Sequence, residues 1–293
     1  MEIYDSARTF KKKDGEIEFS HTQLIIRGPN QDFYYAITED RFVTPSTIDL
    51  DNLDKTFINI DNVWPPYSAR LLRAPSPVPQ DSYIKEADLF DAGQYPELIP
   101  PGGLVLHEIE AYELLRQHPH PNIAQYRGCV VSDGRITGLC FANYTMTLQQ
   151  RMEVSTPFDK ELCLEGIKRG VRHLHSLGIV HNDIKPNNIM LDEMDRPIII
   201  DLDSWQQDGK ELGSKKGTAD WSIEGAKYAL FENDIFGLSK IKEFLYASPS
   251  REILAESRLA NDSQASMAAN MSTGGPRDVS NSIGATPEPS VGR

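Results

Sequence analysis

Apolar residues form short β-rich runs near the start of this chain and helical stripes further on, and the change of pattern divides it. Near the start they form short runs, Leu24-Ile25-Ile26 and Phe33-Tyr34-Tyr35-Ala36-Ile37, on either side of Gly28-Pro29-Asn30. Two such runs around a turn sequence predict a hairpin, and residues 1–60 are expected to be a β-rich extension of strands and turns. Residues 65–79 carry five prolines. Proline fixes φ and donates no backbone hydrogen bond, so that stretch should be irregular. Tyr83-Ile84-Lys85 is a short strand candidate. From His107 to Gln117 the period becomes helical, with Ile109, Tyr112 and Leu115 on one face. A second hairpin is expected where Cys129-Val130-Val131 and Gly138-Leu139-Cys140-Phe141 flank Asp133-Gly134. Thr156-Pro157 offers an N-cap and a first helical position, with Asp159 in the first turn. Leu162, Ile167, Val171 and Leu174 then make an apolar stripe that stops at Gly178. Pro197 to Ile200 predicts a buried strand, and Asp234 to Leu245 another apolar helix. A short helix through Ile253, Leu254 and Leu259 is expected at 248–260. From residue 261 Ser, Asn, Gly, Pro and Ala take over, and so few large apolar residues do not offset the ordering entropy. That tail is expected to be disordered.

Composition narrows the function classes. With 39% hydrophobic residues the 293-residue chain has material for a core. Its 43 acidic and 30 basic residues leave a net charge of −13, which argues against nucleic acid as a partner and favours solubility. Cys129, Cys140 and Cys163 are too few for a disulfide framework and lack paired zinc spacing. Buried free thiols in a reducing compartment are expected, so the setting is intracellular and cytoplasmic, with the nucleus left open. Met1 to Lys13 is polar and charged, unlike a signal peptide, and no apolar stretch reaches the ~20 residues of a membrane span. No membrane partner is expected. Lys11-Lys12-Lys13 is expected to be a solvated turn. His118, His120, His173 and His175 are expected to be structural, since positions two apart on a helix do not share a face for a metal.

One stretch carries chemistry: His181-Asn182-Asp183-Ile184-Lys185-Pro186-Asn187-Asn188-Ile189, after a predicted helix and before a predicted strand that ends in Asp201-Leu202-Asp203. Asn188 follows Asp183 by five positions and Asp201 follows it by eighteen. This set resembles the catalytic loop and metal-binding segment of protein kinases. Tyr83-Ile84-Lys85 is similar to the family's lysine-bearing strand, His120-Pro121-Asn122-Ile123 to the turn after its small-lobe helix, and Gly217-Thr218 to the end of its activation segment. Asp234-Ile235-Phe236-Gly237 resembles the start of the central helix of the large lobe. The likeness spans residues 63–245. It implies an α+β, bilobal protein-kinase-like fold: a small antiparallel β lobe with one helix (61–142), a shortened, mainly helical large lobe (143–248), and a tail (249–293).

The resemblance also implies roles. Phosphoryl transfer is mostly positioning and charge neutralisation. Asp183 would face the acceptor hydroxyl and Lys185 the transferred phosphate, the latter typical of Ser/Thr kinases. Asn188 and Asp201 would hold magnesium through hard oxygens. Lys85 would bind the ATP phosphates and pair with a glutamate. Glu108 and Glu110 are both candidates, and Glu108 is preferred because Tyr112 and Leu115 then share its face. Tyr83 and Met190 complete the expected nucleotide-binding residues. ATP, Mg2+ and a protein substrate are the implied cofactors and partner.

The chain also departs from the family. Residues 63–69, where a Gly-rich phosphate loop would lie, contain no glycine and two prolines. Tyr83 replaces a small residue on the face of Lys85. Asp203 stands where the family has glycine, either as a further metal ligand or as a solvated acid, and Glu224 is only a loose counterpart of the Ala-Pro-Glu glutamate. Asn182 replaces the arginine that clamps a phosphorylated activation segment, although Lys215 and Lys216 stand beside Ser214. Two further readings compete with a Ser/Thr protein kinase: a non-catalytic kinase-like binding module, and a small-molecule kinase of the aminoglycoside or choline type.

Overall fold

A computed structural model describes residues 1–13, 16–30, 32–44, 46–94, 101–213 and 217–247. The expected helix at 248–260, the tail from 261, and Ser214 with Lys215 and Lys216 lie outside the described residues.

Strands β1 (Glu2–Lys13), β2 (Glu16–Arg27), β3 (Phe33–Thr38) and β4 (Lys55–Ile58) form an antiparallel sheet in the order β1-β2-β3-β4. The predicted hairpin is β2–β3, with Arg27 opposite Phe33 and Ile25 opposite Tyr35. Side chains alternate between faces. Leu24, Ile26 and Ala36 pack with Val43, Ile48, Leu50 and Leu53, while Ile25, Phe33, Tyr35 and Ile58 pack with Val63, Leu89 and Ala92. Lys11-Lys12-Lys13 is not a turn. It ends β1, where Lys11 faces Glu18 and Lys13 faces Glu16, and opposite charges across a ladder favour pairing.

A second sheet has the order β5-β7-β6, from β5 (Ser82–Glu86), β6 (Tyr126–Ser132) and β7 (Arg135–Ala142). The β6–β7 hairpin turns on Asp133 (φ +49) and Gly134 (φ +76), a pair of left-handed residues that suits a two-residue loop. Two helices, α1 (Leu89–Gln94) and α2 (Pro101–Leu115), lie between β5 and β6. The first is an addition to the single helix expected there; Leu89 and Ala92 bury it against the N-terminal sheet.

The Pro-rich stretch is irregular, but it does not lie where a phosphate loop would. Ile136 N–H donates to Pro65 O, Tyr67 N–H to Gly134 O and Cys129 N–H to Leu72 O. Residues 65–74 therefore line the β6–β7 turn and the outer edge of β6, on the far side of β7 from β5. Gly128 permits this approach: at φ +118 a Cβ there would meet Arg73 and Ala74 backbone at 2.6 Å.

The remaining elements are β8 (Met146–Thr147), α3 (Leu148–Glu153), α4 (Lys160–Ser176), β9 (Ile179–Val180), β10 (Ile189–Leu191), β11 (Pro197–Ile199), β12 (Gln206–Gln207) and α5 (Phe231–Tyr246). The N-cap of α4 is Asp159, not Thr156: its carboxylate accepts from Leu162 N–H at 2.9 Å. Arg151 explains the difference, because its guanidinium takes the carbonyls of Thr156 and Pro157 and holds both outside the helix. Leu162 is also off the predicted stripe, at 57% exposure. Five residues before Ile167 it sits well round the helix from that face, which Cys163, Leu164, Ile167, Val171 and Leu174 form instead. One core runs from α2 through the β6–β7 sheet to α4, β10, β11 and α5. Cys129, Cys140 and Cys163 are buried free thiols. No helix among the described residues is long and apolar enough to cross a membrane.

Candidate active site

Lys85 sits on β5 opposite Leu139 of β7, so the sheet fixes its height above the loops below. Glu108 lies on α2, four residues before the fully buried Tyr112, which stacks on Tyr126 and meets Phe141 edge-on. That anchoring turns Glu108 inward. Both of its oxygens accept from Lys85 Nζ at 2.8 Å, whereas Glu110 is exposed. Lys85 Nζ also donates to Asp201 Oδ1 at 2.5 Å. Asp201 follows β11 in the left-handed region, φ +64, a conformation Asp tolerates better than most residues. Burial works against the charge of Lys85, yet Glu108, Asp201 and Asp203 together outweigh it and hold the ammonium well above the usual lysine range. Burial, with Asp201 nearby, raises the Glu108 carboxyl despite its lysine.

Below this cluster β9 leads into residues 181–188, which close through a short 3-10 turn, Pro186–Asn188. The loop wraps around Asp183, only 5% exposed. Asp183 Oδ2 accepts from Lys185 Nζ at 2.7 Å and from Asn188 Nδ2 at 2.9 Å. Its Oδ1 accepts from Thr218 N–H at 2.9 Å and Thr218 Oγ1 at 2.8 Å. Lys185 Nζ reaches Thr218 Oγ1 at 2.6 Å. Asn188 also donates to Asp183 O at 3.0 Å, so its NH2 is spent on the loop, and its side-chain oxygen could hold a cation.

Two residues that hold this loop were not singled out for it from the sequence. Asp234, in the first turn of α5 and 0% exposed, accepts from His181 N–H at 2.9 Å and Asn182 N–H at 2.8 Å. His175 donates to the same carboxylate at 2.8 Å. Asn182 is left-handed, φ +64, and those bonds hold it there. The signal was an acid in the first turn of α5, but no spacing tied it to residue 182, 52 positions away.

The other expected residues are placed as follows. Tyr83 is on β5 two residues before Lys85, on the same face and 44% exposed. Met190 is the middle of β10, half-buried against the main core. Glu224 is exposed. Asp203 accepts from Ser204 Oγ and adds to the field on Lys85. No strand pairs with the open edge of β5 among the described residues, and β1 reaches that strand through Tyr4 Oη, which donates to Glu86 at 2.7 Å.

A small antiparallel sheet bearing a lysine, a helix bearing its glutamate, and a loop–strand unit bearing Asp183, Asn188 and Asp201 make this a protein-kinase-like domain. Residues 101–239 match the family described as "Protein kinase domain". The chain is 29% identical over 112 residues to the serine/threonine-protein kinase SSK22 of Saccharomyces cerevisiae, covering 37% of this chain and 8% of that one. It is 32% identical over 97 residues to the serine/threonine-protein kinase US3 homolog of Equine herpesvirus 1, covering 32% and 25%. With the dual serine/threonine and tyrosine protein kinase of Strongylocentrotus purpuratus it shares 33% over 109 residues, covering 34% and 11%. The chain thus spans a quarter or less of the length of these relatives.

Proposed function

We propose that this protein is a protein kinase that transfers the γ-phosphoryl group of ATP to Ser/Thr hydroxyls of a protein substrate. The observation that carries this reading is the web around Asp183. Lys185, Asn188 and Thr218 fix both carboxylate oxygens, and a positioned carboxylate is what an acceptor hydroxyl needs as its proton leaves. Lys185 bonds both Asp183 and Thr218, which suits a cation that steadies the transferred phosphate. Lys85, held charged by Glu108 and Asp201, would take the ATP phosphates. Asn188 and Asp201 would hold magnesium, since two hard protein oxygens fit an ion that keeps waters and phosphate oxygens as its other ligands. When bound, magnesium supplies charge neutralisation on the phosphates.

A second reading has its own support: the unpaired edge of β5 and the half-exposed Tyr83 beside Lys85 favour a kinase-like module that binds without turnover. One experiment separates them. The chain is incubated with labelled ATP and magnesium, with and without a generic protein acceptor, beside the Asp183→Asn variant. Label on acceptor Ser or Thr that disappears in the variant supports the kinase. A thermal shift with ATP and no label supports the binding module and overturns the kinase reading.

A further inference from the structure

The helix that carries Glu108 is tied to the chain just beyond Asp201 by a contact that catalysis as described above does not use. His107 Nε2–H donates to the backbone carbonyl of Trp205 at 2.7 Å. The Trp205 indole N–H donates back to the carbonyl of His107 at 2.8 Å. The two rings stack 4.8 Å apart and 9° from parallel. A reciprocal pair of bonds plus a stack fixes both the rotation and the translation of α2. Because each helical residue turns the helix by about 100°, and His107 adjoins Glu108, a rotation that withdrew the glutamate from Lys85 would break both bonds.

The same segment is held from the other side by neutral groups. Asn182 Nδ2 donates to Ser204 O at 3.1 Å, and Asn182 Oδ1 accepts from Asn233. Beyond Trp205, β12 pairs with β9. Gly209 N–H then donates to Ala229 O at 2.7 Å and Leu212 N–H to Lys227 O at 2.9 Å. Every bond in this series is made by groups already in the chain, and none needs an added phosphate. Asn182 spends its amide on the backbone carbonyls of Val180 and Ser204.

We infer that His107 and Trp205 form a phosphate-independent latch that holds α2, and with it the Lys85–Glu108–Asp201 cluster, in register with the loop around Asp183. The inference rests on the proposed kinase reading and adds its regulation: these are positioning residues, and they keep the site assembled without phosphorylation of the segment after Asp201.

Two variants test it on the full chain. Trp205→Phe removes the indole donor and His107→Phe removes the imidazole donor, while each keeps a ring for stacking. Hydrogen exchange of the α2 amides is measured without nucleotide, beside the melting temperature and a phosphatase-treated wild-type sample. Each variant should speed α2 exchange about tenfold, and the double variant should be faster than either single one, because each side chain donates to the other residue's backbone carbonyl and its loss leaves the second bond in place. Exchange in α4 and in phosphatase-treated wild type should stay unchanged. Wild-type α2 exchange in both variants, or an equal loosening by phosphatase, overturns the latch. Transfer assays on the same samples keep the two claims apart. If wild type transfers no phosphate, the kinase reading fails and the exchange data still decide the latch. If it transfers, kcat should fall about tenfold with the acceptor KM unchanged; an unchanged kcat overturns the positioning role.

Discussion

Replacing Asp234 should unsettle the whole catalytic loop from a position outside it. Its carboxylate is fully buried and accepts three hydrogen bonds, from His181 N–H, Asn182 N–H and His175 Nε2–H. Asp234→Ala leaves the two backbone donors buried without an acceptor. Each costs about 1–3 kcal/mol, so the pair costs about 2–6 kcal/mol. A typical domain has only about 5–15 kcal/mol of stability, so this variant should be folded only at low temperature. Asp234→Asn keeps one oxygen but turns an NH2 toward the remaining donors, and should lose about 1–3 kcal/mol. Its functional loss should be larger than its stability loss. Asn182 sits at φ +64 because Asp234 holds it, and relaxation there moves the next residue, Asp183. A displacement of about 1 Å at a reacting group can cost about a hundredfold in rate. Urea unfolding of wild type and both variants gives the stabilities from midpoint and slope. Transfer assays below each midpoint give the rates. An Asp234→Ala variant that loses less than about 1 kcal/mol, or an Asp234→Asn variant that keeps wild-type kcat, would show that Asp234 does not hold the loop.

Other outcomes follow from single contacts. Asp183→Asn should abolish transfer and leave ATP binding nearly unchanged, whereas Asp201→Ala should weaken magnesium-dependent ATP binding as well; calorimetric titration beside the transfer assay checks both. Gly170→Ala should lower the melting temperature, although glycine-to-alanine in an open helix gains about 1 kcal/mol. Its Cβ would stand 2.7 Å from Ile199 Cδ1 and 2.9 Å from Asn122 O, and overpacking of that kind costs about 1–3 kcal/mol. Burial, with His173 and Arg169 nearby, lowers the pKa of His120, whose Nδ1 accepts from Asn122 N–H. A histidine depressed in the fold contributes its stability above the unfolded value of about 6.5 and loses it as pH falls through the folded one. Thermal melts from pH 7.5 down to 5.5 should therefore fall more steeply for wild type than for His120→Asn, and equal slopes would remove His120 from the account.

What the sequence determined by itself was whatever depends on neighbours along the chain. The β-rich runs around Gly28-Pro29-Asn30 and around Asp133-Gly134 are hairpins because each turn is local. The helical stripe through Ile167, Val171 and Leu174 is buried because 3.6-residue spacing needs no partner to define it. The spacing of Asp183, Asn188 and Asp201 was legible because a loop, one short hairpin and its end keep those side chains close in sequence as well as in space. Other features needed the tertiary structure, since their cause lies far along the chain. Asp159 caps α4 because Arg151 has taken Thr156 and Pro157 away. Residues 65–74 line β6 rather than the edge of β5, because the carbonyls and amides that receive them belong to a hairpin about sixty positions later. Asp234 under the loop, and His107 against Trp205, are pairings of polar groups across 52 and 98 positions. No periodicity encodes them: a buried polar group must find a partner, and only the folded chain decides which one is within 3 Å.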